Sequence, residues 1–213
     1  VYGNPAALGP HLIRLRPASH CRAQIEAYSL TVKAGSVTPR TLWQQDVAGN
    51  HVARVTFPAG SKVESFSVIV ELAVAAKPVN PFDFFIDDRC RQAPFTYPAD
   101  IGTEITAFQR FVPPVRGSRI QKFFDDLPRA GTTVDLVVEL NRLVAKEVRY
   151  VIRNEPGVWT PEETLNNGRG SCRDSAALLV ALLRSRGFAA RFVSDVLSPR
   201  RYYLSMSHVR RQG

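Results

Sequence analysis

The stretch that decides the fold is NNGRGSCRDSAALLVALL, residues 166–183. A polar, glycine-rich turn leads to Ser171, a residue type that commonly caps helices, and Asp174 follows three residues later. Eight apolar residues then occupy positions 176–183. This order predicts a helix whose first residue is Cys172, and a helix that is apolar on nearly every face is buried.

The end of this helix is also marked in the sequence. Arg184 and Arg186 suit the negative end of a helix dipole, and Gly187 suits the position after the last turn. The following run, residues 188–196, contains aromatic and β-branched residues and is predicted to be a strand.

Two further helix starts precede this segment. Residues 133–148 place apolar side chains at helical spacing, and Thr132 and Asp135 have capping-box spacing at their start. Thr160 is followed by a proline and then by two acidic residues, which is typical of the first turn of a helix. We expect this second helix to be short and to end near Gly168.

The first part of the chain, residues 1–112, has strand patterning. Turns that contain glycine or proline separate runs of β-branched and aromatic residues. These runs are residues 26–33, 51–57 and 65–75. Pro113, Pro114 and Gly117 indicate a linker, after which the pattern becomes helical. We therefore predict an α+β protein with an antiparallel, β-rich domain at 1–112 and a second domain at 117–213.

Length and composition limit the class of protein. The chain has 213 residues, of which 45% are hydrophobic, so it can bury a core in one or two domains. The sequence contains no apolar run long enough to predict a membrane span. Its three cysteines, Cys21, Cys90 and Cys172, are too few and too widely spaced for a disulfide framework, which favours a reducing, cytoplasmic location. Without paired cysteines or clustered histidines, neither a metal site nor a cofactor is expected.

The net charge of +9 permits binding to nucleic acid or to an acidic surface. However, the basic residues do not alternate with aromatic residues as they do in known nucleic-acid modules. We interpret the excess charge as a solvated basic surface, and nucleic acid is not an expected partner.

Cys172 is the candidate nucleophile. A thiol at the first residue of a helix lies near the positive end of the helix dipole and near unpaired backbone N–H groups, which favour a thiolate and a developing oxyanion. The neighbouring Asp174 would oppose an anion there. The alternative interpretation is a small buried residue at a helix start. Cys21 and Cys90 have no helix start beside them and are interpreted as structural.

Several separate stretches resemble the bacterial transglutaminase-like superfamily. The nucleophile segment is TPEETLNNGRGSCRDSAALLVALLRSRGFAARFVSDVL (160–197), and the upstream segments are RLRPASHC (14–21), WQQDVAGNHVARVTFP (43–58), NPFDFFIDDR (80–89) and IRNEPGVWTPEETL (152–165). This resemblance implies an amino-terminal β domain followed by a papain-like core. It also implies that Cys172 forms a thioester with an amide carbonyl and passes the acyl group to an amine or to water.

The family completes its site with a histidine that precedes Ala-Trp, and with a later aspartate. Here His208 follows Cys172 by 36 residues but precedes Val209 and Arg210, and no acidic residue follows Asp195. We therefore expect an incomplete core in this chain, as in a fragment or a truncated product. Cys172 and His208 are the predicted catalytic residues, and the orienting carboxylate is missing.

Two functions from different classes stay open. The first is a cysteine acyl transferase or amide hydrolase that acts on protein or peptide amides, with the missing histidine and aspartate supplied downstream. The second is a non-catalytic module whose β domain binds a protein partner. The remaining histidines, His11, His20 and His51, precede the linker and are interpreted as hydrogen-bonded or surface residues. Trp159 is expected either to pack in the interior or to line the entrance of a cleft.

Overall fold

The computed structural model describes residues 3–19, 21, 23–75, 80 and 83–193, together with the backbone of Ser205–Met206. The strands in these residues are β1 (His11–Ile13), β2 (Gln24–Lys33), β3 (Arg40–Gln45), β4 (His51–Thr56), β5 (Ser67–Ala75), β6 (Gln92–Ala93), β7 (Gly131–Thr132), β8 (Arg149–Tyr150), β9 (Arg169–Gly170) and β10 (Ser205–Met206). The helices are α1 (Ala99–Gln109), α2 (Arg119–Asp125), α3 (Thr133–Glu147), α4 (Pro161–Asn167) and α5 (Cys172–Ser185), and Asp88–Cys90 forms a 3₁₀ turn.

The chain divides into two compact units. The first unit comprises residues 1–80 and 195–213, and the second comprises residues 81–194. The protein is therefore α+β, with the longer strands in the first unit and the helices in the second. None of the helices in the described residues is both long enough and apolar enough to cross a lipid bilayer.

The first unit contains two antiparallel, three-stranded sheets. One has the strand order β1-β4-β3 and the other has the order β10-β5-β2. The central strand β4 buries Val52, Ala53 and Val55, and Val63 is buried as well. The three strand runs predicted from the sequence are confirmed as β2, β4 and β5.

The sequence did not reveal strands β1 and β3. All six residues of β3 are exposed, so an alternation of buried and exposed residues does not mark it. Its pairing is fixed by the turn into β4, where the Asp46 carboxylate accepts hydrogen bonds from the backbone N–H groups of Ala48 and Asn50. Hydrogen bonds from the Asn50 side chain and backbone lower the pKa of Asp46 to about 2.

The second unit is built on helices α2 to α5. Helix α3 packs against α5, α5 against α4, and α4 against α2. Leu136, Leu140 and Val144 of α3 are buried at helical spacing, which confirms the predicted helix to within one residue. Its cap is confirmed too, because the Thr132 hydroxyl accepts a hydrogen bond from the N–H of Asp135.

The chain passes from the first compact unit to the second near residue 80, whereas the domain boundary predicted from the sequence lies at 112–117. The segment between these positions makes its contacts within the second unit. Strand β6 pairs with β7, and Phe95 and Phe111 pack against the buried cluster of the helices. Helix α1 was missed because it has no side-chain cap and buries none of its residues. The assignment of the family domains to 1–112 and 117–213 stays a prediction.

The predicted strand at 188–196 is not formed in its described part, residues 188–193. The backbone groups of this segment have other partners. The N–H of Ala189 donates to the Tyr97 hydroxyl (2.9 Å), and the N–H of Ala190 donates to the Phe108 carbonyl (3.0 Å). These bonds tie the segment to α1 and to the loop before it.

Candidate active site

Cys172 is the first residue of α5, as predicted, and its side chain is exposed. The chain reaches it through α4 and β9. Helix α4 begins with a capping box in which the Thr160 hydroxyl accepts from the N–H of Glu163 (3.2 Å) and the Glu163 carboxylate accepts from the N–H of Thr160 (2.7 Å). Strand β9 pairs in parallel with β8, which fixes the last residues before the helix.

Two glycines make this approach possible. Gly168 ends α4 in the left-handed conformation with φ of 58°, which favours glycine. Gly170 is required for a different reason. A Cβ atom at this position would lie 2.9 Å from the Cβ of Asp174 and 3.4 Å from a methyl carbon of Thr164. The absence of a side chain therefore lets the strand approach the first turn of α5 closely.

The first turn of α5 is organised by Asp174, which is fully buried. Ser171 and Asp174 form the predicted capping box. The backbone N–H and the hydroxyl of Ser171 both donate to the Oδ2 atom of Asp174, at 2.8 and 2.7 Å. The N–H groups of Cys172 and Arg173 have no hydrogen-bond partner among the described residues, as expected for the first turn of a helix.

Asp174 also receives a buried cation. Arg153 donates from Nε to Oδ2 (2.9 Å) and from Nη2 to Oδ1 (3.3 Å), and the N–H of Trp159 donates to Oδ1 (2.8 Å). The guanidinium of Arg153 also stacks over the indole of Trp159, 4.2 Å from the ring centroid. Trp159 is partly buried and packs against Arg153.

This network changes the electrostatic expectation for the thiol. Burial opposes ionisation of Asp174, but the hydrogen bonds from Arg153, Trp159 and Ser171 outweigh it and hold the pKa of the carboxyl well below its usual range. The carboxylate also raises the pKa of Arg153 through the same hydrogen bonds. Because the two buried charges neutralise each other, Asp174 does not oppose an anion at Cys172 as strongly as its sequence position suggests.

The segment at 151–159, here called the anchored loop, is held from a second side. The guanidinium of Arg173 donates to the carbonyl oxygens of Arg153 (3.3 Å) and Glu155 (3.2 Å). Ser171, which precedes Cys172, thus binds Asp174, and Asp174 holds the anchored loop. Arg173, which follows Cys172, binds the loop directly. The role of Arg153 was not predicted from the sequence, because no local signal connects this residue with Asp174, 21 residues later.

A shallow cavity of about 330 Å³ adjoins α5 one turn after Cys172. Ser175 contributes from the helix, and because residues three apart lie on one side of a helix, the cavity is near the thiol. The cavity is lined by Asn141, Val144, Ala145, Val148, Arg149, Tyr150 and Ser175. Its lining combines apolar side chains with the polar groups of Asn141, Arg149 and Ser175.

The structure does not bring a histidine to the described part of this site. Residues 81–193 contain no histidine in the sequence. His11 and His51 lie in the first unit, where they are within hydrogen-bond distance of Gly9 and Ser19. The predicted base His208 lies outside the described residues, as does His20.

The other two cysteines are partly buried and unpaired. Cys90 ends the 3₁₀ turn, and Cys21 lies outside the described helices and strands. Within the described residues, no three His, Cys, Asp or Glu side chains are grouped closely enough to hold a metal ion. Among the described cysteines, Cys172 alone combines exposure with a helix start.

Two family models match the chain. Residues 1–75 match the bacterial transglutaminase-like N-terminal region, and residues 125–212 match the transglutaminase-like superfamily. The chain therefore carries a bacterial transglutaminase-like N-terminal region followed by a transglutaminase-like superfamily region. The second matched region of this transglutaminase-like protein contains α3, α4 and the helix that begins at Cys172.

A solved structure supports the same fold. A candidate cysteine protease from Cytophaga hutchinsonii is similar with a TM-score of 0.52 over 84% of this chain, at 15% sequence identity. At this identity the similarity establishes the fold and not the activity. The alignment covers 59% of that protein, so the chain spans about three fifths of its length. A search of curated proteins gives no match.

Proposed function

We propose that this transglutaminase-like protein acts on protein or peptide amides through a thioester on Cys172. The observation that carries the proposal is the exposed thiol at the first residue of α5, within the matched core region. It lies beside the N–H groups of Cys172 and Arg173, for which the described part of the chain supplies no hydrogen-bond partner. A helix start of this kind stabilises both a thiolate and an oxyanion.

The proposed reaction has two halves. The thiolate of Cys172 attacks the amide carbon, the carbonyl electron pair moves to oxygen, and the backbone N–H groups stabilise that oxyanion. Collapse of the intermediate restores the carbonyl and expels the protonated amine, which leaves a thioester. An amine or water then attacks the thioester and releases Cys172. The proton must pass through a base, and His208 is the candidate in this sequence.

Alkylation tests the nucleophile directly. The full chain is treated with iodoacetamide at neutral pH, and labelling of Cys172 is followed by mass spectrometry against Cys172→Ala and against a free peptide of residues 168–176. We expect the folded protein to react several-fold faster than the peptide, because a helix start favours the thiolate. Labelling at the same or a lower rate contradicts a nucleophilic role in this chain.

A non-catalytic binding module is the second candidate. It is favoured by one observation, which is that residues 81–193 contain no histidine that could serve as the base. In this case the β-rich first unit binds a protein partner and the helical core acts as a scaffold. A partner captured equally well by the wild type and by Cys172→Ala would support binding without catalysis. A loss of capture in that variant would contradict it.

A cytoplasmic location is proposed on the state of the thiols. Cys21, Cys90 and Cys172 are all unpaired, and unpaired thiols suit a reducing compartment. The proposed partners are proteins or peptides that carry the amide on which Cys172 acts.

A further inference from the structure

The ion pair at the start of α5 differs from the other ion pairs of the described residues. The side chains of Arg153 and Asp174 are 8% and 0% exposed, whereas those of Arg89 and Asp87 are 67% and 45% exposed. Burying two charges requires their desolvation, which offsets most of their attraction, so such a pair is a poor source of net stability. Asp174 lies two residues after Cys172, and this position points to a role other than stabilising the fold.

The pair fixes the backbone on both sides of the thiol. Ser171, which precedes Cys172, binds Asp174 through its N–H and its hydroxyl. Arg173, which follows Cys172, binds two carbonyl oxygens of the anchored loop. The anchored loop is itself held by Arg153 and by the N–H of Trp159, both on Asp174.

We propose that Asp174 is a positioning residue that directs the backbone N–H of Cys172 toward the oxyanion of the reaction. This inference deepens the proposed function and rests on it. Asp174 does not touch the substrate. It acts through Ser171 on the helix start, and through Arg153 on the loop to which Arg173 is bound.

Two reactions of the same thiol distinguish positioning from folding. Attack on the carbonyl of p-nitrophenyl acetate forms a C–S bond and moves an electron pair onto oxygen, and a correctly placed N–H donor stabilises this oxyanion before the carbonyl re-forms and p-nitrophenolate leaves. Alkylation by iodoacetamide forms a C–S bond and releases iodide, with no oxyanion formed. Displacement of the donor therefore slows acylation and leaves alkylation nearly unchanged.

The experiment measures both rates on the full chain with p-nitrophenyl acetate and with iodoacetamide, each corrected with Cys172→Ala. We expect Asp174→Asn to slow acylation by about 10- to 100-fold, since loss of one oxyanion donor slows a reaction by about 100-fold or more. Its alkylation rate should be kept or raised, because the loss of a negative charge favours the thiolate.

Two more variants keep the result interpretable. Leu182→Ala, a fully buried position eight residues further along α5, lowers stability without touching the network and should leave the ratio of the two rates unchanged. Arg153→Lys keeps the charge but loses the planar fork of donors, so it should slow acylation less than Asp174→Asn does while the protein still folds.

The outcomes separate the two proposals. If the wild type is acylated faster than a free peptide and both Asp174→Asn and Arg153→Lys keep the wild-type ratio of rates, positioning by Asp174 is wrong and the proposed function stands. If the wild type is acylated no faster than the peptide, the proposed function is wrong and this inference is wrong with it.

Discussion

Gly170 lies so close to Asp174 that a methyl group does not fit between them. The hypothetical Cβ would be 2.9 Å from the Cβ of Asp174, and Asp174 is held in place by Arg153, Trp159 and Ser171. Neither partner can move without breaking hydrogen bonds of the buried carboxylate. A single residue without a side chain thus sets the distance between β9 and α5.

Gly170→Ala should therefore destabilise the protein by about 1–3 kcal/mol, the range for overpacking a well-packed site. The measurement is the free energy of unfolding in urea. Gly102→Ala is the matched control, because Gly102 lies in α1 with no atom within 4 Å of its hypothetical Cβ. That change should stabilise by about 0.5–1 kcal/mol through helix propensity. Equal effects at the two positions would contradict the packing argument.

At the scale of elements, local signals in the sequence determined most of the second unit. The caps at Thr132, Thr160 and Ser171 were predicted and are confirmed, because each depends on residues within one helical turn. Helix α1 and strand β3 were missed, because the first has no side-chain cap and the second has no buried face. Helices and strands that bury one face or begin with a cap can be predicted from the sequence. Exposed elements that are held only by pairing with another strand or helix cannot.

Thr160→Ala tests one of these caps. The change removes the acceptor for the N–H of Glu163 and should destabilise the protein by about 0.5–2 kcal/mol, with thermal or urea unfolding as the readout. Thr106→Ala serves for comparison, because Thr106 lies inside α1 and its hydroxyl only donates to the Gly102 carbonyl. We expect that variant to be neutral or slightly more stable. A loss of stability at Thr106 as large as at Thr160 would rule out a specific capping effect.

For the molecule as a whole, the sequence predicted the α+β class, the two transglutaminase-like regions and the start of α5 at Cys172, but not the network that surrounds this residue. Arg153 and Asp174 are separated by 21 residues, and nothing in either neighbourhood shows that they pair. The division between the compact units near residue 80 could not be predicted from the sequence either. Phe95 and Phe111 precede the proline-rich segment, yet they pack on the helices that follow it. Both depend on tertiary contacts, which periodicity does not encode.

The buried carboxylate also predicts how stability depends on pH. The pKa of Asp174 is lower in the folded state than its unfolded value of about 3.9, so its contribution is present above about pH 4 and is lost as the pH falls toward the folded pKa. Wild-type stability should fall on acidification below about pH 4, with a share on the order of 1–2 kcal/mol from this residue.

The contribution of Asp174 is measured by urea unfolding of the wild type and of two variants, at pH 7 and near pH 3. Asp174→Asn should be less stable at pH 7 and should lose less stability on acidification than the wild type. Asp88→Asn, which removes an exposed ion pair with Arg91, should keep nearly the wild-type dependence. An acid-induced loss in Asp174→Asn as large as in the wild type would show that other groups dominate the titration.

The pairing of β8 with β9 closes residues 149–170 into a loop. Its two ends are joined by hydrogen bonds from Arg149 to Gly168 and from Val151 to Gly170, while residues 154–158 at its tip are exposed. Lengthening a loop adds little closure entropy, but an insertion between Arg153 and Gly157 would displace carbonyl groups that Arg153 and Arg173 bind in this loop. Substitutions of the exposed side chains at the tip would leave those carbonyl contacts in place, so the tip surface can change while the backbone beside Cys172 stays fixed.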